Sequence, residues 1–419
     1  MKKIIYFGLF ALLATGCAKK VEPLTFWAMG QEGERVGKIL EPFLAAHPEI
    51  HLKLQSIPWG AAHDKLLTAY AGRSTPDVCQ LGNTWVSEFN AMKALSPLDA
   101  RVKGSKTVKE KDYFPGIWNS NVLDGKLYGI PWYVDTRALF YRKDLFLRAG
   151  FDHPPRDWKE LAAVAKALTH VEKEKKSFGI SLPANPSGST IPLFFAWQNR
   201  ADLLDPSETK ADVQTASFKE SVDYYVDFFR EGSSPREVGG LTNFYQAFAS
   251  GYFAMFISGP WEVKGLRDKV PSLSGKWGVA PLPPKKVGGS RASLAGGSSL
   301  VILKDARHPE QAWALIEYLS RPEVQAEFYQ ATTDLPARIS AWKDPRLAKD
   351  AEILAFYHQL QQSRPTPKLP EWEQLADKLG IWVEKAIYGK VSTSEAMAGL
   401  SRDLDQVLEK RRWLRARQK

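Results

Sequence analysis

Residues 24–57 read LTFWAMGQEGERVGKILEPFLAAHPEIHLKLQSI, and their periodicity changes twice. Leu24–Met29 is a short apolar run of the kind that is buried on both faces of a sheet. From Glu32 to His47 the apolar residues Val36, Ile39, Leu40, Phe43 and Leu44 recur at helical spacing. Ile50–Ile57 then alternates with period two, which puts Ile50, Leu52, Leu54 and Ser56 on one face. Strand, helix and strand in so short a span predict a parallel βαβ unit and an α/β architecture.

The alternation continues outward. Ala61–Ala71 reads as a helix, Asp77–Leu81 as a short buried strand and Trp85–Met92 as a helix again. In parallel sheets ligands sit beyond the carboxyl ends of the strands, so the loops after Met29, Ile57 and Leu81 are the places to look. Leu127–Tyr141 is β-rich and aromatic, and Pro154-Pro155-Arg156-Asp157 announces a helix over Trp158–Leu168. Phe178–Leu182, Tyr252–Ile257, Trp277–Leu282 and Ser299–Leu303 read as further strands, and Ile191–Arg200 and Ala216–Arg230 as helices. After Pro309 the pattern is mainly helical, over 309–331, 350–362, 372–388 and 393–409. With no internal repeat and no low-complexity linker, two α/β lobes joined by crossing segments fit better than two independent beads.

The first residues carry a different signal. Met1-Lys2-Lys3 precedes an apolar run from Ile4 to Ala14 that ends Thr15-Gly16-Cys17, the layout of a secretory leader with a cut before Cys17. The run is too short to span a bilayer, which takes roughly 20 apolar residues. The only other cysteine, Cys79, lies in the apolar stretch Pro76–Leu81 and reads as a small buried hydrophobe. A chain of 419 residues buries a large core without disulfides and implies more than one domain. The net charge of +10 is scattered apart from Lys173–Lys176 and Lys410-Arg411-Arg412, and export argues against nucleic acid as its partner.

Catalytic constellations are missing. There is no Gly-x-Ser-x-Gly, no phosphate loop, no Gly-x-Gly-x-x-Gly and no His-Glu-x-x-His. The histidines at 47, 51, 63, 153, 170, 308 and 358 show no metal-ligand spacing. No metal, cofactor or catalytic residue is therefore assigned, although a glycosidase-like pair of carboxylates is a matter of spatial separation that sequence does not address. Tryptophans stand out instead: Trp27, Trp59, Trp85, Trp132, Trp197 and Trp261 lie at predicted strand ends or in the turns after them. Sugars present apolar C–H faces that stack on such rings and hydroxyl edges that need oriented polar partners.

A set of short motifs adds to this. They are Phe43-x-x-x-x-Pro48-x-Ile50, Pro76-Asp77-Val78 with Gly82-Asn83-Thr84-Trp85, and Gly125-Lys126-Leu127-Tyr128-Gly129-Ile130-Pro131-Trp132. Tyr141–Phe146, Asp157-Trp158-x-Glu160-Leu161, Gly251-x-x-Ala254-Met255 with Gly259-Pro260-Trp261, Gly296-Gly297 and Pro309-Glu310-x-Ala312-Trp313 follow in order. Together they resemble the family 1 extracellular solute-binding proteins, the maltose-binding-protein-like receptors of ABC importers, from Leu24 to about Leu408.

The resemblance implies a two-lobed periplasmic-binding-protein fold (type II) with a hinge of crossing segments and C-terminal helices packed on the second lobe. It implies a leader over 1–16, a lipidated Cys17 with a tether to residue 23, a first lobe of 22–130 plus 285–335, and a second of 131–284 plus 336–419. Its ligand is a carbohydrate, of two or more units on the strength of the aromatics, and its partner an ABC permease. The chain is then a monomer on the periplasmic or extracellular face, held to the membrane only through its N-terminal lipid. Gln31 and Glu32 stand where maltose-type members carry an acid and a lysine, which argues against maltose itself. Asp135 matches an acidic sugar contact and Trp261 a stacking tryptophan. Asn83, Trp85, Trp132, Tyr133 and Gly296-Gly297-Ser298 line the expected cleft, with Trp59, His63, Trp197, Asn199 and Arg338 added from loop position. Asp77 is expected to hold a turn. The alternative ligands on the same fold are a polyamine, a metal-oxyanion and a glycerol phosphate; an exported polysaccharide-processing enzyme is the remaining alternative.

Overall fold

The computed structural model describes residues 22–171, 176–186, 190–237 and 243–417. Cys17 and the apolar leader lie outside them. In chain order the strands of the two main sheets are β1 (Leu24–Met29), β2 (Leu52–Ile57), β3 (Val78–Gly82), β4 (Ile130–Asp135), β5 (Ala138–Arg142) and β6 (His170–Val171). They continue with β7 (Lys176–Ser181), β8 (Phe253–Ser258), β9 (Trp277–Ala280), β10 (Gly296–Ile302) and β11 (Leu335–Pro336). The helices used below are α1 (Gly30–Ile39), α2 (Trp59–Ala71), α3 (Val86–Ala91), α4 (Trp158–Ala167), α5 (Thr190–Gln198), α6 (Ala216–Arg230) and α7 (Trp261–Lys269). After them come α8 (Pro309–Leu319), α9 (Pro322–Thr332), α10 (Ala351–Leu360), α11 (Trp372–Ile387), α12 (Thr393–Val407) and α13 (Glu409–Ala416).

The first sheet runs β11-β4-β10-β3-β1-β2, with β1 parallel to β2 and β3 and with β10 antiparallel to β3 and β4. The second runs β9-β5-β8-β7-β6, with β8 parallel to β7 and antiparallel to β5. Leu24 pairs with Leu52 and Met29 with Ile57 in unbroken register, so residues 24–57 form the parallel unit their pattern predicts. Leu24, Phe26 and Ala28 are fully covered. Complete burial of a leucine or phenylalanine contributes roughly 1.5–3 kcal/mol.

Three predicted helices divide. Glu32–His47 breaks at Leu40 and restarts at Glu41 with Pro42 in its first turn, where a missing N–H costs nothing. Residues 309–331 split into α8 and α9, the second begun by Pro322. Residues 393–409 stop at Val407, and α13 follows as a separate helix.

The domain boundary expected at residue 131 is corrected: it cuts β4, which pairs with β10 in the first sheet over its length. The boundary at 335 also moves, because Arg338 is held by the Asp112 carboxylate and the Thr107 carbonyl of the first lobe. The chain then crosses to α10, which packs on β9. One apolar cluster runs through the crossings from Phe26 and Trp132 to Phe140, Phe256 and Phe356, so the lobes share a core at their base. A second cluster joins Leu139 and Phe194 to Leu375 and Leu400, which packs α11 and α12 on the second lobe.

Two single residues behave as expected. Asp77 accepts hydrogen bonds from the Thr25 amide (2.8 Å) and hydroxyl (2.6 Å) and from the Arg307 (2.7 Å) and His308 (3.1 Å) amides. Burial opposes its ionisation, but these donors outweigh burial and hold the carboxyl below its ordinary range. Asp77 thus fastens β1 to the turn after β10. Cys79 is fully buried in β3, and burial pushes its thiol far above the usual value, which leaves it inert.

Candidate functional site

At the end of β1 the helix α1 starts at once on Gly30, so the expected loop Gly30-Gln31-Glu32 is a helix N-terminus. Gly30 has φ +49°, and a Cβ there would lie 2.8 Å from the Trp59 ring, so the turn favours glycine. Gln31 points to solvent, while Glu32 is 5% exposed. Glu32 Oε1 accepts from the Tyr133 hydroxyl at 2.8 Å and from Trp59 Nε1 at 3.3 Å. Trp59 opens α2 after β2, is 37% exposed, and meets the Trp85 ring edge-on at 5.6 Å. His63, one turn along α2, lies 5.1 Å from Trp85 and 2.7 Å from the Glu88 carboxylate. Gln31, Glu32, Trp59, His63 and Trp85 therefore converge at the carboxyl ends of β1, β2 and β3.

The floor is a polar network under this wall. The Tyr133 oxygen accepts from Ser298 Oγ (3.0 Å) and Gln80 Nε2 (3.3 Å), and Gln80 Oε1 accepts from the Met29 amide (2.8 Å). A Cβ on Gly296 would fall 2.3 Å from Asp135 Oδ1, and one on Gly297, at φ +128°, 2.3 Å from the Tyr133 carbonyl. Both glycines are required because β10 passes that close to β4. Asn83 grips the same segment, its Nδ2 donating to the Ala295 carbonyl (2.8 Å) and its amide to the Gly297 carbonyl (3.1 Å).

The end of β4, where the chain leaves the first sheet, and the second lobe supply the opposite wall. Asp135 at the end of β4 pairs with Arg137 at 2.5 Å, and the Arg137 guanidinium lies 4.6 Å from the Trp261 ring. Trp261 opens α7, is 39% exposed, and donates through Nε1 to Glu262 at 3.0 Å. Beside it, at the carboxyl ends of β7 and β8, is a cavity of about 490 Å³ lined by Ser181, Asn185, Arg236, Ser258, Glu262 and Tyr388. None of these six was singled out from sequence, yet the strand-end rule applied to β7 and β8 as it did to β1–β3 would have found Ser181 and Ser258.

Carboxylates dominate the electrostatics. Asp334, between α9 and β11, has its Oδ2 covered and without a hydrogen-bond partner among the described residues. Burial, and then the charges of Glu32 and Asp135, push its carboxyl well above the usual range. Glu32 is raised too, because burial outweighs the donors Tyr133 and Trp59. Burial and the same two carboxylates, Asp334 and Glu32, push the Tyr133 phenol far up. The basic group near this floor, Arg137, is committed to Asp135. Arg137, Gln80 and Asp334 were missed from sequence; none lies in a motif, and Asp334 reaches Glu32 only through the fold.

Several expected site residues serve the scaffold instead. Trp132 is 1% exposed and stacked on Phe328 at 4.4 Å, because β4 lies between β10 and β11 with both faces covered. Trp197 is buried in α5 beneath Arg364, whose guanidinium lies 5.2 Å from the ring. Asn199 ties α5 to α6 by donating to the Ser217 carbonyl (2.8 Å) and Glu220 (3.0 Å), and it accepts from Lys285 (2.8 Å). Arg338 is spent on Asp112 and on the Thr107 and Ser320 carbonyls. Position in a loop does not say to which end of a lobe that loop belongs.

Among the described residues no group of three His, Cys, Asp or Glu could hold a metal ion, and no helix is long and apolar enough to cross a membrane. Residues 25–326 match the family described as bacterial extracellular solute-binding proteins. The chain is similar to the sugar-binding protein MalE of Xanthomonas citri, with 41% identity, a TM-score of 0.87 and coverage of 94% of this chain and 99% of that one. It is 25% identical over 307 residues to a maltodextrin-binding protein of Bacillus subtilis, covering 71% of this chain and 69% of that protein. To a galactooligosaccharide-binding protein of the same organism it is 24% identical over 387 residues, 91% of this chain and 88% of the relative. Two α/β lobes, aromatic and acidic side chains gathered at their strand ends and these matches agree, and the chain belongs to the family of bacterial extracellular solute-binding proteins.

Proposed function

We propose that the chain is the carbohydrate receptor of an ABC importer, that it takes a di- or oligosaccharide between its lobes, and that it hands this to the permease. The observation that carries the reading is the pair of half-exposed tryptophans, Trp59 on one lobe and Trp261 on the other, with Glu32, Tyr133 and Asp135 between them. Each ring offers a stacking face to a sugar, and the carboxylates offer acceptors to its hydroxyls. Relatives that bind maltodextrin and galactooligosaccharide support the class of ligand. Ligand contacts made only when the lobes close shift the equilibrium toward the closed form, which the permease then senses.

A screen of thermal stability against mono-, di- and oligosaccharides tests this. A ligand at 100 times its dissociation constant adds about 2.7 kcal/mol and should raise the melting point by a few degrees. No shift with any glycan would remove the carbohydrate reading.

A polyamine is the second reading, favoured by the carboxylates Glu32, Asp135 and Asp334. The sugar is preferred because Asp135 is already paired with Arg137, and Glu32 and Asp334 are both pushed toward their neutral forms. The same acids disfavour a glycerol phosphate. Spermidine in the screen decides between them: stabilisation by it alone would transfer the site to a polyamine.

The leader and Cys17 support a lipid anchor as part of this proposal. Cys17→Ser should release the protein from membranes washed at high salt, and retention of that variant would reject the anchor.

A further inference from the structure

α13 is built inside out. Leu408, Arg411, Arg412 and Arg415 fall at the spacing of one helical face, and this face turns toward the protein. Leu408 is fully buried. Arg411 reaches Glu371 at 3.5 Å, while Arg412 donates to the Thr209 carbonyl at 2.9 Å and pairs with Asp405 at 3.6 Å. Arg415 donates to the Ser207 carbonyl. The opposite face carries Lys410, Trp413, Leu414 and Arg417, at i, i+3, i+4 and i+7. Here Trp413 is 52% and Leu414 45% exposed, and no residue of the helix is buried.

A helix that spends its charges on the protein and turns its tryptophan and leucine outward is the reverse of a surface helix serving a core. Around the two apolar side chains the exposed charge is mainly basic, with Glu409 one turn before Trp413 as the single acid of the helix. Lys410 and Arg417 are both exposed and make no ion pair among the described residues. The Arg417 guanidinium lies over the Trp413 ring at 3.8 Å, so cation and ring form one amphipathic unit. Tryptophan settles at the headgroup level of a bilayer, and basic side chains beside it seek anionic lipid. A second copy of the chain would oppose like charges across such a contact.

We propose that the outward face of α13 docks on an anionic membrane surface, with Trp413 and Leu414 entering the headgroup layer and Lys410 and Arg417 meeting lipid phosphates. The contact holds one end of the second lobe down, at the far end of the chain from Cys17, and so orients the body on the membrane. It departs from the expectation that an N-terminal lipid is the sole membrane contact.

The test is co-sedimentation of the whole chain with vesicles. Half the lipid is phosphatidylglycerol in one set, and all of it phosphatidylcholine in the other. The comparison chains are Trp413→Ala/Leu414→Ala and Lys410→Glu/Arg417→Glu. Because the leader is common to all three proteins, any difference between them reports α13. The proposal expects several-fold more bound wild type than either variant on the anionic vesicles. That excess should vanish on phosphatidylcholine and at about 0.5 M salt, where screening shrinks to a few ångströms. The substituted positions are exposed, so unchanged melting points should verify the folds. Equal sedimentation of wild type and variants on anionic vesicles overturns the proposal, and so does an excess that persists on phosphatidylcholine.

Discussion

Trp261→Ala should weaken carbohydrate binding about five- to a hundredfold, since a lost aromatic stacking face at the centre of a site costs roughly 1–3 kcal/mol. The ring supports no core: it is 39% exposed and rests against Arg137 and Glu262. Thermal stability without ligand should therefore change little while affinity falls, a separation that a folding defect would not produce. Trp261→Phe keeps a flat apolar face but loses the Nε1 donor to Glu262, and should lie between wild type and alanine. Calorimetric titration with the glycan that shifts stability most is the measurement. An alanine variant within twofold of wild type would end the stacking role of Trp261.

Asp334→Asn should stabilise the protein at neutral pH by about 1–3 kcal/mol, the usual penalty for a buried polar group left unmatched. In the folded chain the carboxyl titrates well above its ordinary range, through burial and the nearby Glu32 and Asp135 charges. In the unfolded chain it ionises near the ordinary value of about 3.9. A folded-state value above the unfolded one favours the native state below the unfolded value, and this advantage is lost as pH rises toward the folded value. Native protein thus loses stability relative to the asparagine variant as pH climbs above about 4. Thermal melts at pH 3.5 and pH 7 should show a small difference at the lower pH and several degrees at the higher. Equal gains at both, or a loss at pH 7, would mean that Asp334 carries no titration penalty. Glu32 is raised as well, there by burial outweighing its hydrogen-bond donors.

Much of this molecule was legible along the chain. The β1–α1–β2 unit followed from the switch between periods of 2 and 3.6, because alternation and helical spacing are local consequences of backbone geometry. Asp157 before α4 was readable as a helix start, and its side chain caps the Glu160 amide. The site was half legible. Trp59, Trp85, Glu32 and Asp135 come to the candidate site because strand ends place them there, and strand ends are local. Trp132 and Arg338 were misread because their setting depends on elements far away: Phe328 covers the first, and Asp112 binds the second.

The sequence by itself determined the α/β class, the order of the elements and the aromatic and acidic character of the strand ends, since each follows from residues within a few positions of one another. Only the tertiary structure decided that β4 belongs to the first sheet, that Gly296 and Gly297 are glycines because β4 passes within contact of them, and that Glu32 and Asp334 share one acidic floor. Those facts depend on the pairing of strands remote in sequence and on the dielectric their packing creates, and no local pattern encodes either.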